Sequence, residues 1–246
     1  MSKDSDKQLT KGEKQVMKDL QKIYVDSPNL YYTVEEDGHI VTIHLDHGGY
    51  RDPEVDMSKF PESFRNLKWL RIFKIRDNEM WELPKWLGEL TSLQELLLDD
   101  NPISVFPESI GNLTSLQKLN KSHHQRSLKW SDHRLTQLPK SFGNLKKLQV
   151  LDLVDNKITS LPESFGNLES LRELYLNGNS LIELPETFGN LSNLQILNLS
   201  SNQLKTLPES FGNLSSLKEL DISNNKMISL PYSIENLTKL EDLEVW

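Results

Sequence analysis

From Leu161 onward, apolar and polar residues fall at the same places in three successive stretches. They read LPESFGNLESLRELYLNGNSLIE, LPETFGNLSNLQILNLSSNQLKT from Leu184 and LPESFGNLSSLKELDISNNKMIS from Leu207, a period of 23 residues. A unit that short cannot bury an apolar face alone, so each must stack on its neighbours, which excludes a pair of globular domains. Counted from Leu171, leucines hold the first, fourth and sixth positions (Leu171, Leu174, Leu176), with Asn179 at the ninth and Leu181 at the eleventh. The two-residue step between the fourth and sixth positions is the signature of a strand whose leucines point inward and whose neighbours point outward.

The same phase marks nine strand segments, beginning at Ile40, Leu70, Leu93, Leu116, Leu148, Leu171, Leu194, Leu217 and Leu240. Parallel strands ~4.8 Å apart would make a sheet roughly 40 Å long. The ninth-position column holds Asn78, Asn101, Asn156, Asn179, Asn202 and Asn225. A side-chain amide there can bond backbone groups that a bend leaves unpaired. Phe142, Phe165, Phe188 and Phe211 form an apolar column opposite the strands and read as core.

The LxxLxLxxNxL pattern resembles the leucine-rich repeat family over residues 40–246, and the 23-residue unit with its Leu-Pro turn and FGNL segment resembles the intracellular Ras-group repeats. The resemblance implies an α/β leucine-rich-repeat solenoid, with a curved parallel sheet on the concave side and short helical or irregular segments on the convex side. It also implies a non-catalytic protein-interaction scaffold used in signalling, since some members bind small GTPases or phosphatases through the concave side. A Ras-like small GTPase is therefore the candidate partner.

An array exposes its core at both ends unless something covers it. Residues 1–8 are expected to be a disordered tail and residues 9–39 a cap of helix and hairpin. Val16, Met17, Leu20, Ile23 and Tyr24 recur at helical spacing, and Thr10 with Glu13 is placed as a capping box. After Pro28, two alternating runs flank Asp37-Gly38, a hairpin that leads into the first repeat strand. The chain stops at Trp246 inside its ninth strand, where Glu241, Asp242 and Glu244 would charge the edge. Such charge opposes pairing with other chains, so a monomer or weak dimer is expected.

Two units break the period. The first is lengthened by an insertion near 51–57, and the one starting at Leu116 runs 32 residues, nine too many. Counting back from Leu135 and Leu138 puts Leu128 at the fourth position, Trp130 at the sixth and His133 in the asparagine column, with residues 120–128 inserted. The competing register, with Leu119 fourth and Lys121 sixth, would bury a lysine at a cost of several kcal/mol.

Composition narrows the chemistry. There is no cysteine, so disulfides, thiolate metal sites and cysteine nucleophiles are excluded and a reducing, cytoplasmic home is favoured. The polar start and the lack of any apolar run of spanning length argue against a leader or membrane span. A net charge of -8 disfavours general nucleic-acid affinity, although Lys118, Lys121, Arg126, Lys129 and Arg134 cluster near the second insertion and keep that alternative open. A metal-dependent enzyme using His123 and His124 is the other alternative. Adjacent side chains on extended backbone point apart, and no carboxylate within NKSHHQRSLKWS completes a shell. His44, Asp46 and His47 read as surface polar residues. No nucleophile, base and acid assemble by spacing, so neither a catalytic residue nor a cofactor is expected.

The outward positions of the strands are then the candidate partner-binding face. They offer Lys74, Arg76, Leu97, Asp99, Lys129, Asp152, Val154, Tyr175, Ile196 and Asn198, with Leu97 and Tyr175 as the large central anchors. The last strands offer Glu219, Asp221, Asp242 and Glu244. Trp81 and Trp86 stand in columns that elsewhere hold small or polar residues, and form either a secondary aromatic binding patch or a satellite core over the first long loop.

Overall fold

In the computed structural model, residues 9–23, 30–46, 60–78, 80–123 and 134–245 are described. Ten strands pair in chain order into one open sheet: β1 (Leu30–Val34), β2 (Ile40–Asp46), β3 (Ile72–Arg76), β4 (Glu95–Leu97), β5 (Lys118–Asn120), β6 (Val150–Asp152), β7 (Glu173–Tyr175), β8 (Ile196–Asn198), β9 (Glu219–Asp221) and β10 (Asp242–Glu244). Only β1 runs antiparallel, hairpinned onto β2, while β2 to β10 are parallel. The fold is the solenoid that the resemblance to leucine-rich repeats implies, with short 3-10 turns such as Glu163–Asn167 and Glu186–Asn190 on its convex side.

Three residue columns hold the coil in shape. Asn179 donates from Nδ2 to the carbonyls of Leu176 (2.9 Å) and, one unit earlier, Leu153 (2.9 Å), while its Oδ1 accepts the Ile158 N–H at 3.0 Å. Asn101, Asn156, Asn202 and Asn225 repeat the pattern, so each bend's backbone groups are satisfied by the next unit. Just before each asparagine the chain turns through left-handed φ at Asp77, Asp100, Asp155, Gly178, Ser201 and Asn224. On the convex side Phe142, Phe165, Phe188 and Phe211 stack at 6.0–6.3 Å, fully buried. The glycine after each phenylalanine permits this spacing: a Cβ on Gly166 would lie 2.1 Å from the Thr187 carbonyl oxygen of the next turn.

The first convex junction departs from this packing. Arg65 stands in the glycine column and Trp86 in the Ser/Thr column it would touch, so the turns Glu62–Asn66 and Lys85–Glu89 cannot close on each other. A cleft of about 460 Å³ opens between them. Trp86 is buried there, its ring 5.9 Å from Phe64 and 6.2 Å from Phe60. Trp86 is therefore part of the main apolar core and not an exposed anchor; the long loop that a satellite core would cover lies outside the described residues. Trp81 is half-buried.

Helix α1 (Lys11–Ile23) covers the amino end of the core with Val16, Met17 and Leu20. Its start is a reciprocal box: Glu13 N–H donates to Thr10 Oγ1 at 3.2 Å, and Thr10 N–H donates to Glu13 Oε2 at 3.0 Å. The same buried carboxylate accepts the Ile40 N–H at 2.9 Å through Oε1, which ties the helix to β2.

The second insertion is not where leucine spacing puts it. Leu119 pairs in register with Leu96 and Leu151, so it holds the fourth position, and Lys121 holds the sixth with no exposed surface. Asn156 confirms the phase by donating to the Lys121 carbonyl at 2.7 Å and accepting from Leu135 N–H at 3.0 Å. The nine extra residues therefore fall after β5 in the sequence, between His123 and Leu135, and not before it at 120–128. His123 N–H still donates to the Val154 carbonyl at 3.0 Å, as Asp100 and Asp155 at the same position donate to the unit after theirs, so the regular path holds through His123. The fold buries the lysine rather than break a strand pairing. The predicted tail 1–8, the insertion near 51–57, and Leu128, Lys129, Trp130, Ser131 and His133 lie outside the described residues.

Candidate protein-binding face

The short strands present every second side chain to the concave side, and strict parallel register lines these up in two lanes. One lane runs Asp152, Tyr175, Asn198, Asp221, Glu244, and the other Val150, Glu173, Ile196, Glu219, Asp242. Toward the amino end the same lanes hold Ile72 and Lys74 in β3, Glu95 and Leu97 in β4, and Lys118 and Asn120 in β5, with Arg76 at the end of β3. Charge therefore changes sign along the arc: cations sit on β3 and β5, and carboxylates dominate from β6 onward.

Of the residues read from sequence as partner-binding, Lys74, Arg76, Asp152, Val154, Tyr175, Ile196 and Asn198 are half-buried or exposed on this face. Tyr175 donates its hydroxyl to Glu173 at 3.2 Å. Burial and the neighbouring carboxylates Glu173, Glu219 and Asp152 hold its phenol above the usual range. Asn198 accepts from Ser200, and Asp152 from the Val154 N–H, so both also shape their own turns. Lys129 lies outside the described residues.

Two residues are corrected. Leu97 occupies an outward position but is only 3% exposed, buried outside the main apolar core, and so is not an accessible anchor. Asp99 is buried as well, paired with Arg76 Nε at 3.1 Å and accepting both the N–H and hydroxyl of Ser122. Its role is to join β4 to the strand after it. No signal within its own repeat marks Asp99 as covered, because its partners Arg76 and Ser122 stand in the neighbouring units.

Beneath this region lies a buried polar cluster. Lys121 Nζ is 3.5 Å from Asn156 Oδ1, and His123 Nδ1 is 3.9 Å from Asp100. Burial pushes the Lys121 ammonium down to about 8; Asp99 and Asp100 oppose that shift and Arg134 adds to it. Among the described residues no group of three His, Asp or Glu is placed to hold a metal ion. No helix among them is long and apolar enough to cross a membrane.

Comparison with known proteins converges on one repeat type. Family models described as leucine-rich repeat region, leucine rich repeat and Leucine Rich Repeat match residues 165–246, 126–181 and 92–113. No curated protein sequence matches the chain. Among solved structures, the plant peptide hormone receptor RGFR1 in complex with RGF2 is 30% identical, with 76% of this chain and 34% of that chain covered and a TM-score of 0.59. The PEPR1-AtPEP1 structure is 25% identical, with 87% and 33% covered and a TM-score of 0.65. An internalin, inlF, from Listeria monocytogenes shares the fold at 21% identity, with 75% and 57% covered and a TM-score of 0.53. The chain spans about a third of the length of RGFR1 and PEPR1.

Proposed function

The chain belongs to the leucine-rich repeat proteins, and from that premise we propose that it is a non-catalytic scaffold holding a partner protein on its concave face. The observation that carries this reading is the sheet face itself, where the accessible apolar groups Val150, Tyr175 and Ile196 lie among charged residues on adjoining strands. That mixture is the composition of a protein interface, and a rigid sheet presents it without ordering cost. The solved complex of RGFR1 with RGF2 supports a binding role for this architecture. The resemblance to Ras-group repeats makes a Ras-like small GTPase the first partner to test, and the cysteine-free composition suits a cytoplasmic scaffold.

Titration of the purified chain with small GTPases in both nucleotide states tests the reading. Binding is expected to fall by at least an order of magnitude, roughly 1.4 kcal/mol or more, when Lys74, Asp152, Tyr175 and Ile196 are replaced together. Circular dichroism should be unchanged. Full affinity in that variant would move the interface off the concave face.

A further inference from the structure

We infer that strands β6 to β10 form the docking lane for an extended basic segment of the partner, a stretch of Lys and Arg around an apolar residue. This rests on the scaffold reading and adds to it the chemistry of the occupant and the half of the arc that receives it.

The ten outward positions of these strands hold six carboxylates and no cation. At the carboxyl end four of them meet in a square: Glu219 is in register with Asp242, and Asp221 with Glu244, on adjacent strands. Neighbouring parallel strands lie ~4.8 Å apart, and like charges facing each other across a ladder destabilise it. Among the described residues no ion pair engages these four carboxylates; the nearby Lys218 is directed to Glu241 instead, at 3.9 Å. The sheet thus carries a self-repelling arrangement that a cationic ligand would relieve.

Burial, and after it Glu173, Glu219 and Asp152, hold the Tyr175 phenol above its usual range, and those three carboxylates flank it at the middle of the lane. There Tyr175 and Ile196 supply the apolar contact that a purely charged surface lacks. Size agrees with a short linear segment. Five strands at ~4.8 Å leave a lane of about 19 Å, the length of about six extended residues. The amino-terminal strands, with Lys74, Arg76 and Lys118, would repel the same segment and so fix where it lies.

The test uses the full chain and two synthetic ten-residue peptides, one with Lys and Arg alternating around a central Leu and one with Glu at the basic positions. Fluorescence anisotropy should show binding of the basic peptide, weakening as salt rises, and none of the acidic one. Replacing Glu219, Asp221, Asp242 and Glu244 by their amides should weaken the basic peptide by about tenfold or more. The same change at four exposed carboxylates off this face, Glu183, Glu186, Glu209 and Glu235, should leave it within about twofold.

A second variant, Ile196→Lys, places a cation in the lane and should also abolish binding. A thermal melt checks that each variant is folded, and the first removes repulsion from the sheet. Equal loss from both sets of carboxylates, no loss from the concave set, or no binding of the basic peptide overturns the inference. A GTPase or other partner that still depends on Lys74 and Tyr175 in that event leaves the scaffold reading standing.

Discussion

At the scale of single residues, Lys121 is the most informative position, because it occupies a core site that holds Leu98 in the preceding unit and Leu153 in the following one. The unfolded chain keeps this lysine protonated up to its ordinary value near 10.5, while the folded chain does so only to about 8. Between those limits the unfolded state binds more protons, so stability rises with pH across that window. At ~1.4 kcal/mol per unit the full effect is roughly 3 kcal/mol, absent at neutral pH and gained toward pH 10.5. Urea unfolding of Lys121→Leu at pH 7 should show stabilisation of a few kcal/mol, and the rise between pH 8 and 10.5 should vanish. This residue also explains why sequence reasoning misplaced the insertion. The periodicity demanded an apolar sixth position, and Trp130 satisfied that demand better than Lys121. The pairing of Leu119 with Leu96 and Leu151, visible only between units, outweighed the local cost.

Between neighbouring elements, energetic coupling joins residues about one period apart. Arg65 and Trp86 are such a pair, since the glycine and Ser/Thr columns they replace form the close contact of every later junction. The Trp86→Ser variant should lose about 3–5 kcal/mol as Phe60 and Phe64 are left facing a cavity. Adding Arg65→Gly should return roughly 1 kcal/mol of that by letting the two turns approach, a coupling that a double-mutant cycle measures. Both departures were legible in the sequence one column at a time, but not their contact, which needs the turns superposed. The capping box, by contrast, was legible whole, because Thr10 and Glu13 act within one turn. Glu13→Ala removes the acceptor for Ile40 N–H as well as the cap, and should cost about 2 kcal/mol. Burial pushes the Glu13 carboxyl up, but bonds from Thr10 and Ile40 and the charge of His39 outweigh it, holding it below its ordinary value. The wild-type advantage is therefore present above pH 4.5 and lost as pH falls through the lowered folded value.

For the whole array, stability is a sum of unit terms and nearest-neighbour interfaces, so its distribution depends on how much each unit buries. The amino end is sealed by α1, whose Leu20 and Val16 are fully buried and whose Glu13 reaches β2. At the other end the turn Tyr232–Asn236 buries none of its residues, β10 is exposed throughout, and Tyr232 is 92% exposed. The last strand also carries the carboxylates that oppose those of β9. With so little of β10 and its turn buried, the chain of residues 1–246 should open first at β10, with the β9–β10 interface separating well below the global unfolding free energy. Native-state hydrogen exchange should therefore show protection rising stepwise from the amides of the β9–β10 ladder (Asp242 N–H bonded to Lys218, and Ile222 N–H to Glu244) toward those of β6 and β7. A basic peptide bound on β6 to β10 should raise protection at β9 and β10 most, because it removes the repulsion that loosens them. Uniform protection along the array would mean that the strand interfaces are equivalent and that the concave charge has no hold on the stability of the end.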